Sequence, residues 1–129
     1  MAYPSGSGSE ILRRGAIHNQ ANDTTSLKFD GTSPTTGTET YAVPANHIIS
    51  LLSINVTEMS NTSGKNFSMW TVLGGATITL LSNVPLNARQ TYVFDERIVL
   101  HPTDTVKLFS DFAGANFDIF YTYIDQDWT

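Results

Sequence analysis

The sequence predicts a single all-β domain, an antiparallel sandwich with a jelly-roll-like arrangement of eight or nine short strands. Stretches of alternating apolar and polar residues recur along the chain, and period-two alternation is the pattern of a strand with one buried face. Turn-forming residues interrupt these stretches about every dozen residues, a spacing typical of a sandwich rather than of strand–helix–strand units. No segment combines helical periodicity with capping residues.

The first residues predict a flexible N-terminal arm, 1–14, followed by the sandwich domain, 15–129. Residues 1–9 read MAYPSGSGS, a stretch with too little apolar surface to order itself. Residues 10–18 contain enough apolar side chains for an extended strand, which Gly15 should weaken.

The clearest strand signal lies in residues 41–57, after a shorter signal at 26–30. The tripeptide Pro44-Ala45-Asn46 should turn the chain, because proline cannot donate to a strand ladder. Beyond this turn the side chains alternate between two sets, with Leu52, Ile54 and Val56 facing the core and Ser53, Asn55 and Thr57 facing solvent. This is the pattern of a half-buried strand.

Turn signals divide the second half of the chain. Gly74-Gly75 predicts a hairpin between strands at 67–73 and 76–81, because glycine tolerates the positive φ of such turns. Residues 92–100 read as one broken strand or two short ones. Residues 101–104 (His-Pro-Thr-Asp) predict a turn in which Asp104 or Thr105 binds backbone N–H groups. Two last strands follow, at 105–112 and 117–124, and we expect residues 113–116 to join them as a hairpin.

Composition excludes several classes of partner. The formal net charge is −5 with seven basic residues, whereas nucleic-acid binding requires clustered Lys and Arg. Cysteine is absent, which excludes disulfides and thiolate metal sites. We find neither a signal peptide nor an apolar run of about 18 residues. We therefore expect a soluble protein made in the cytoplasm, with no nucleic-acid or membrane partner.

No motif supports catalysis, a metal or a cofactor. The three histidines lack metal-site spacing: His18, His47 and His101. Four aspartates recur every seven residues, but at strand ends, where aspartate ordinarily solvates turns: Asp104, Asp111, Asp118 and Asp125. A glycosidase would need two carboxylates at a set separation in a cleft. Asp125 and Asp127 offer too few oxygens for Ca²⁺. We expect no enzyme.

Three stretches of the sequence resemble segments of a known family: YAVPANHIISLLSINVT at 41–57, IVLHPTDTVKLFS at 98–110 and ANFDIFYTYID at 115–125. Together they resemble small virion proteins of tailed bacteriophages, particularly of marine and cyanobacterial phages. The resemblance implies a β-sandwich located in the virion, which forms a symmetric oligomer, often a trimer, attached to the particle. It includes no catalytic residue.

The resemblance and the N-terminal segment together favour a capsid decoration, or cement, protein that binds and stabilises the outer capsid surface. The predicted contact residues are Glu10, Ile11, Leu12, Arg13 and Arg14. An arm that orders on the major capsid protein or a neighbouring subunit adds strand hydrogen bonds, and its arginines can pair with carboxylates. A plain edge strand with two solvated arginines is the alternative for the same residues.

Two other functions stay open. The chain could be a neck, tail or fibre-associated virion protein that contacts the host surface, or a carbohydrate-binding module. A sugar-binding surface would use aromatic rings for stacking, and the candidates are Trp70, Tyr92, Tyr121, Tyr123 and Trp128. Most of these alternate inward on strands, which favours core packing. Trp128 is expected to be exposed unless it docks.

Overall fold

The predicted all-β class is confirmed. The computed structural model describes residues 9–20, 24–34, 40–60, 64–110 and 117–128, and within these ranges it contains nine strands and no helix. The strands are β1 (Ser9–Gln20), β2 (Thr25–Ser26), β3 (His47–Glu58), β4 (Lys65–Leu73), β5 (Ala76–Leu86), β6 (Thr91–Phe94), β7 (Ile98–Leu100), β8 (Thr105–Ser110) and β9 (Phe117–Asp127). All the strand pairings are antiparallel.

The strands form two sheets that enclose one core, as a jelly-roll-like sandwich does. A five-stranded sheet has the order β1-β9-β3-β6, with β7 also paired to β3, and a four-stranded sheet has the order β2-β8-β4-β5. Strands β8 and β9 follow each other in the chain but lie in different sheets, so the expected last hairpin is wrong. β8 pairs with β2 and β4 in the four-stranded sheet, whereas β9 pairs with β1 and β3 in the five-stranded sheet. The connection, 111–116, lies outside the described residues.

The core follows the period-two alternation of β9, with one correction on β3. Alternate residues of β9 from Phe117 are buried, as the pattern predicts. On β3, Ile54 and Val56 are buried as expected, but Leu52 is only half-buried and Leu51 is fully buried. An irregularity in the pairing with β9 between Leu51 and Ser53 inserts one residue, which reverses the faces of the residues before it.

Gly15 is required by packing and does not interrupt β1, which runs unbroken through it. Its pairing partner is Tyr121, and a Cβ atom at position 15 would lie 2.3 Å from the Tyr121 ring and hydroxyl. The phenol therefore covers the glycine backbone. Gly15 weakens strand propensity, yet only glycine leaves room for this ring.

The predicted turns carry the backbone conformations that their residues favour. Gly74 and Gly75 have φ angles of 57° and 89° and close the β4–β5 hairpin, as predicted. Asn46 has a φ of 63°, and β3 begins directly after it. In the turn before β8, the Asp104 carboxylate accepts a hydrogen bond of 2.8 Å from the His101 N–H, which confirms its expected role.

The boundary predicted between the arm and the domain, at residues 14 and 15, falls inside β1. Residues 9–14 are the beginning of this strand and pair with β9, whereas residues 1–8 lie outside the described residues. In the described part of the chain there is no helix of the length and hydrophobicity needed to cross a membrane.

Candidate interaction surface

The five predicted contact residues lie on an edge strand of the five-stranded sheet. They run consecutively along β1, which pairs with β9 alone among the described strands. Glu10 lies opposite Gln126, and Arg14 lies opposite Thr122. The structure therefore presents this segment as a strand edge attached to the sandwich.

Side-chain alternation divides the five residues between two faces of the sheet. Glu10, Leu12 and Arg14 are exposed, and Leu12 retains 70% of its accessible surface. They share a face with Ala16 and are opposite in parity to the buried Gly15 and Ile17, so they lie on the outer face. Arg13 has the inward parity and is half-buried. Of the two adjacent arginines, Arg14 is therefore the one available to a partner.

Arg13 is committed to an internal charge cluster centred on Asp125. The Asp125 side chain is 2% exposed; its Oδ2 accepts a hydrogen bond from Arg13 Nε at 3.1 Å, and its Oδ1 lies 2.6 Å from His47 Nδ1. The cluster connects β1, β9 and β3 across three adjacent strands. A buried carboxylate is retained only with such partners, because burying an unpaired charge is costly.

This cluster was not predicted from the sequence. His47 was noted only as a histidine without metal-site spacing, and Asp125 only as a strand-end residue or a poor calcium ligand. The signal was the alternation in β9, where Asp125 occupies the position two residues beyond the buried Tyr123. Its partners could not be identified from the sequence, because β1 and β3 are brought beside β9 only by the sheet order.

Two tyrosines in the same inward row fix a neighbouring loop. The Tyr121 hydroxyl donates to the Lys28 carbonyl at 2.6 Å and accepts from the Lys28 N–H at 2.9 Å. The Tyr123 hydroxyl accepts from the Gly31 N–H at 3.0 Å. The Phe29 ring packs edge-on against both phenols. Burial raises the pKa of both tyrosines, since it disfavours the phenolate.

The described residues do not assemble a recognisable catalytic or metal centre. No group of three or more His, Asp or Glu side chains in them is placed to hold a metal ion. Asp118 and Asp125, two of the regularly spaced aspartates, differ by an odd number of positions on β9 and so lie on opposite faces of the sheet. Asp104 lies in a turn. Asp111 is outside the described residues. Asp118 and Asp125 therefore do not face a common cleft.

The outer face of the five-stranded sheet carries exposed apolar side chains in two rows. Register places Leu12, Ile124, Ser50 and Val99 side by side across the sheet. Leu12 and Val99, at the two ends of this row, are 70% and 58% exposed. Contiguous exposed apolar patches mark interaction surfaces, and in this row the half-buried Ile124 and Ser50 lie between the two exposed ends.

The second row contains Ala16, Phe120, Asn55 and Val93. Phe120 is 41% exposed and Val93 is 55% exposed. Phe120 and Asn55 line a shallow depression of about 430 Å³. At its margin the His18 and Asp118 side chains form a pair at 2.8 Å.

The inward placement expected for most aromatic candidates is confirmed for Tyr121 and Tyr123, whereas Trp70 lies on the opposite face of β4 from its buried neighbour Met69. Tyr121 and Tyr123 are fully buried, and Trp70 and Tyr92 are half-buried. Trp128 is also half-buried, and its backbone N–H donates to the Asn46 carbonyl at 3.1 Å. The exposed aromatic ring on the outer face is Phe120, which the sequence analysis did not single out.

Neither a protein-family profile nor a curated protein matches the chain. Among solved structures, a chain in the structure of the infectious bursal disease virus Gx strain is similar, with a TM-score of 0.47 and 11% sequence identity, over 97% of this chain and 38% of that chain. A Bacillus endospore appendage (disulfide-linked pilus) has a TM-score of 0.47 and 14% sequence identity, over 100% of this chain and 97% of that chain. Latent PorU from Porphyromonas gingivalis has a TM-score of 0.48 and 10% sequence identity, over 93% of this chain and 13% of that chain. Similarity this low transfers no function.

Proposed function

We propose that this chain is a structural protein of a virus particle, of the capsid decoration type, which binds the outer capsid surface and stabilises it. The observation that carries the proposal is the surface of the five-stranded sheet, where the exposed edge of β1 adjoins two rows of exposed apolar side chains. A rigid sandwich with such a surface is suited to binding another protein.

The resemblance to phage virion proteins supports the same role from the sequence. Its three stretches supply β3, β7, β8 and β9, so they build the centre of the sandwich. They consequently support the architecture more strongly than the role. Residues Glu10–Arg14 are proposed to contact the neighbouring subunit of the particle, with Leu12 and Arg14 as the outward-facing members.

Cryo-electron microscopy of particles produced from the genome that encodes this chain tests the proposal. Hundreds of copies on the outer capsid surface are expected for a decoration protein. A few dozen copies at the neck or tail would instead support the tail-associated alternative. Absence of the chain from purified particles would refute both virion roles.

Binding to particles that lack the chain tests the contact residues. Leu12→Asp and Arg14→Glu should reduce the amount that cosediments with the particles, because they place charge in an apolar contact and reverse a pairing charge. Arg97→Glu is the matched control, since Arg97 is exposed in the segment between β6 and β7 and the charge change is the same. Equal binding by all three variants would contradict the assignment to β1.

A carbohydrate-binding function is the second candidate, favoured by the depression beside Phe120. An exposed ring next to amide, carboxylate and imidazole groups offers both stacking and hydrogen bonding. A glycan array with the intact protein tests this candidate, with Phe120→Ala as the variant and Val99→Ala as the control. Binding that survives Phe120→Ala, or no binding to any glycan class, would exclude this site.

A further inference from the structure

We propose that the edge of β1 pairs with the same edge of a second copy of this chain, in an antiparallel contact with a two-fold axis at Leu12. The inference rests on the proposed function only in assigning Glu10–Arg14 to a subunit contact. It goes further by naming the partner as a second copy and by giving the register.

The free part of the β1 edge is defined by its hydrogen bonds. The Ala16 N–H is bound by the Ser33 side-chain hydroxyl at 3.1 Å, so it points away from β9. Because backbone groups alternate along a strand, the N–H and C=O groups of Glu10, Leu12 and Arg14 point to the same open side. The segment containing Ser33 covers this side at Ala16, and the free edge in the described residues therefore comprises 9–15.

This free edge has its midpoint at Leu12, which fixes the register of the fullest overlap. In an antiparallel pairing centred there, Leu12 lies opposite the partner subunit's Leu12, and Glu10 lies opposite the partner subunit's Arg14. All three residues direct backbone groups outward, so each opposed pair exchanges two hydrogen bonds.

The charges of the edge complement each other in this register. Glu10 and Arg14 are exposed, and their neighbours on β9 are the uncharged Gln126 and Thr122. Two-fold symmetry generates two Glu–Arg pairs, and opposite charges directly across a strand pair are stabilising. A shift of the axis to Glu10 or to Arg14 would instead oppose like charges, which is destabilising.

Edge strands are commonly protected against association by charges or by a covering segment. Here the charges are of opposite sign and equidistant from the midpoint, so they favour self-pairing, and among the described residues the covering segment reaches the edge at Ala16. The exposed Leu12 side chains of the two copies then meet at the axis.

Charge reversal tests the register in solution. Wild-type protein should sediment as a reversible dimer, and Glu10→Arg or Arg14→Glu should each weaken dimerisation by about tenfold. Both the double variant and an equimolar mixture of the two single variants should restore association, because each returns opposite charges to opposed positions. Arg97→Glu is the control and should dimerise like the wild type.

A cysteine placed at the axis gives an independent readout. The chain contains no cysteine, and opposed residues that exchange hydrogen bonds have Cα atoms about 5.5 Å apart, within disulfide range. Leu12→Cys should form a covalent dimer under mild oxidation, whereas Val99→Cys, also exposed but on β7 at the far side of the sheet, should not. Far-ultraviolet circular dichroism checks that every variant is folded.

The proposal is overturned if the wild type is monomeric at submillimolar concentration, if the charge variants associate like the wild type, or if only Val99→Cys crosslinks. These outcomes leave particle binding untouched, so they differ from failure of the virion role. A two-fold contact joins copies in pairs, and the trimer that the resemblance implies would require a separate surface.

Discussion

Replacing Gly15 with alanine is expected to destabilise the sandwich by about 3 kcal/mol. A Cβ atom at this position would lie 2.3 Å from both Cζ and Oη of Tyr121, and 2.7 Å from Cε1. These separations are far below van der Waals contact. Either the phenol ring must move or β1 must bend away from the core.

The magnitude has two parts. Overpacking a well-packed site costs about 1–3 kcal/mol. Movement of the ring also disturbs the two hydrogen bonds between the Tyr121 hydroxyl and the Lys28 main chain, each contributing about 1 kcal/mol. Gly15 is not among the glycines with positive φ, so alanine meets no backbone strain of its own, and the loss is due to the collision.

Urea unfolding of the variants measures this loss as a change in the free energy of unfolding. Arg97→Ala, at an exposed position away from β1, is the control and should lie within about 0.5 kcal/mol of the wild type. Tyr121→Phe removes Oη, one of the two atoms closest to the added Cβ, and both hydrogen bonds of the hydroxyl, so its effect should combine non-additively with Gly15→Ala, by about 1 kcal/mol. Wild-type stability for Gly15→Ala, or strict additivity, would refute the packing argument.

Three further predictions concern ionisation, the buried carboxylate and a turn. The folded pKa values of Tyr121 and Tyr123 are raised, so their contribution to stability is complete below the ordinary phenol pKa near 10 and falls above it, by about 1.4 kcal/mol per pH unit for each group. Absorbance at alkaline pH should show the two tyrosines ionising only as the protein unfolds. Reversible ionisation of both in the folded state near pH 10 would contradict this prediction. Asp125→Asn should lower the free energy of unfolding by about 2 kcal/mol. The control Asp118→Asn should lower it by about 0.5 kcal/mol or less, because the Asp118–His18 pair is exposed. Equal losses in urea titrations would show that the Asp125 cluster is not stabilising. Asn46→Ala should cost about 1 kcal/mol because of its positive φ, whereas Asn46→Gly should be nearly neutral, and equal melting temperatures for the two variants would exclude that reason.

The local features of this protein could be predicted from the sequence alone. Alternation in β3 and β9 predicted strands with one buried face, and the Gly74-Gly75 pair predicted the hairpin, because these signals depend only on neighbours along the chain. The same alternation placed Tyr121 and Tyr123 in the core. Such features require no knowledge of which strands are adjacent.

Features that depend on which strands are adjacent could be identified only from the folded structure. The Asp125 cluster joins Arg13 and His47, which are distant in sequence and meet only because β1 and β3 flank β9. The irregularity beside Leu52 inserts one residue into β3, and a single inserted residue exchanges the buried and exposed faces of the strand before it. The composition of the strand does not predict such an insertion. Residues 9–14 form a strand edge because β9 lies beside them, and that pairing cannot be identified from the segment alone.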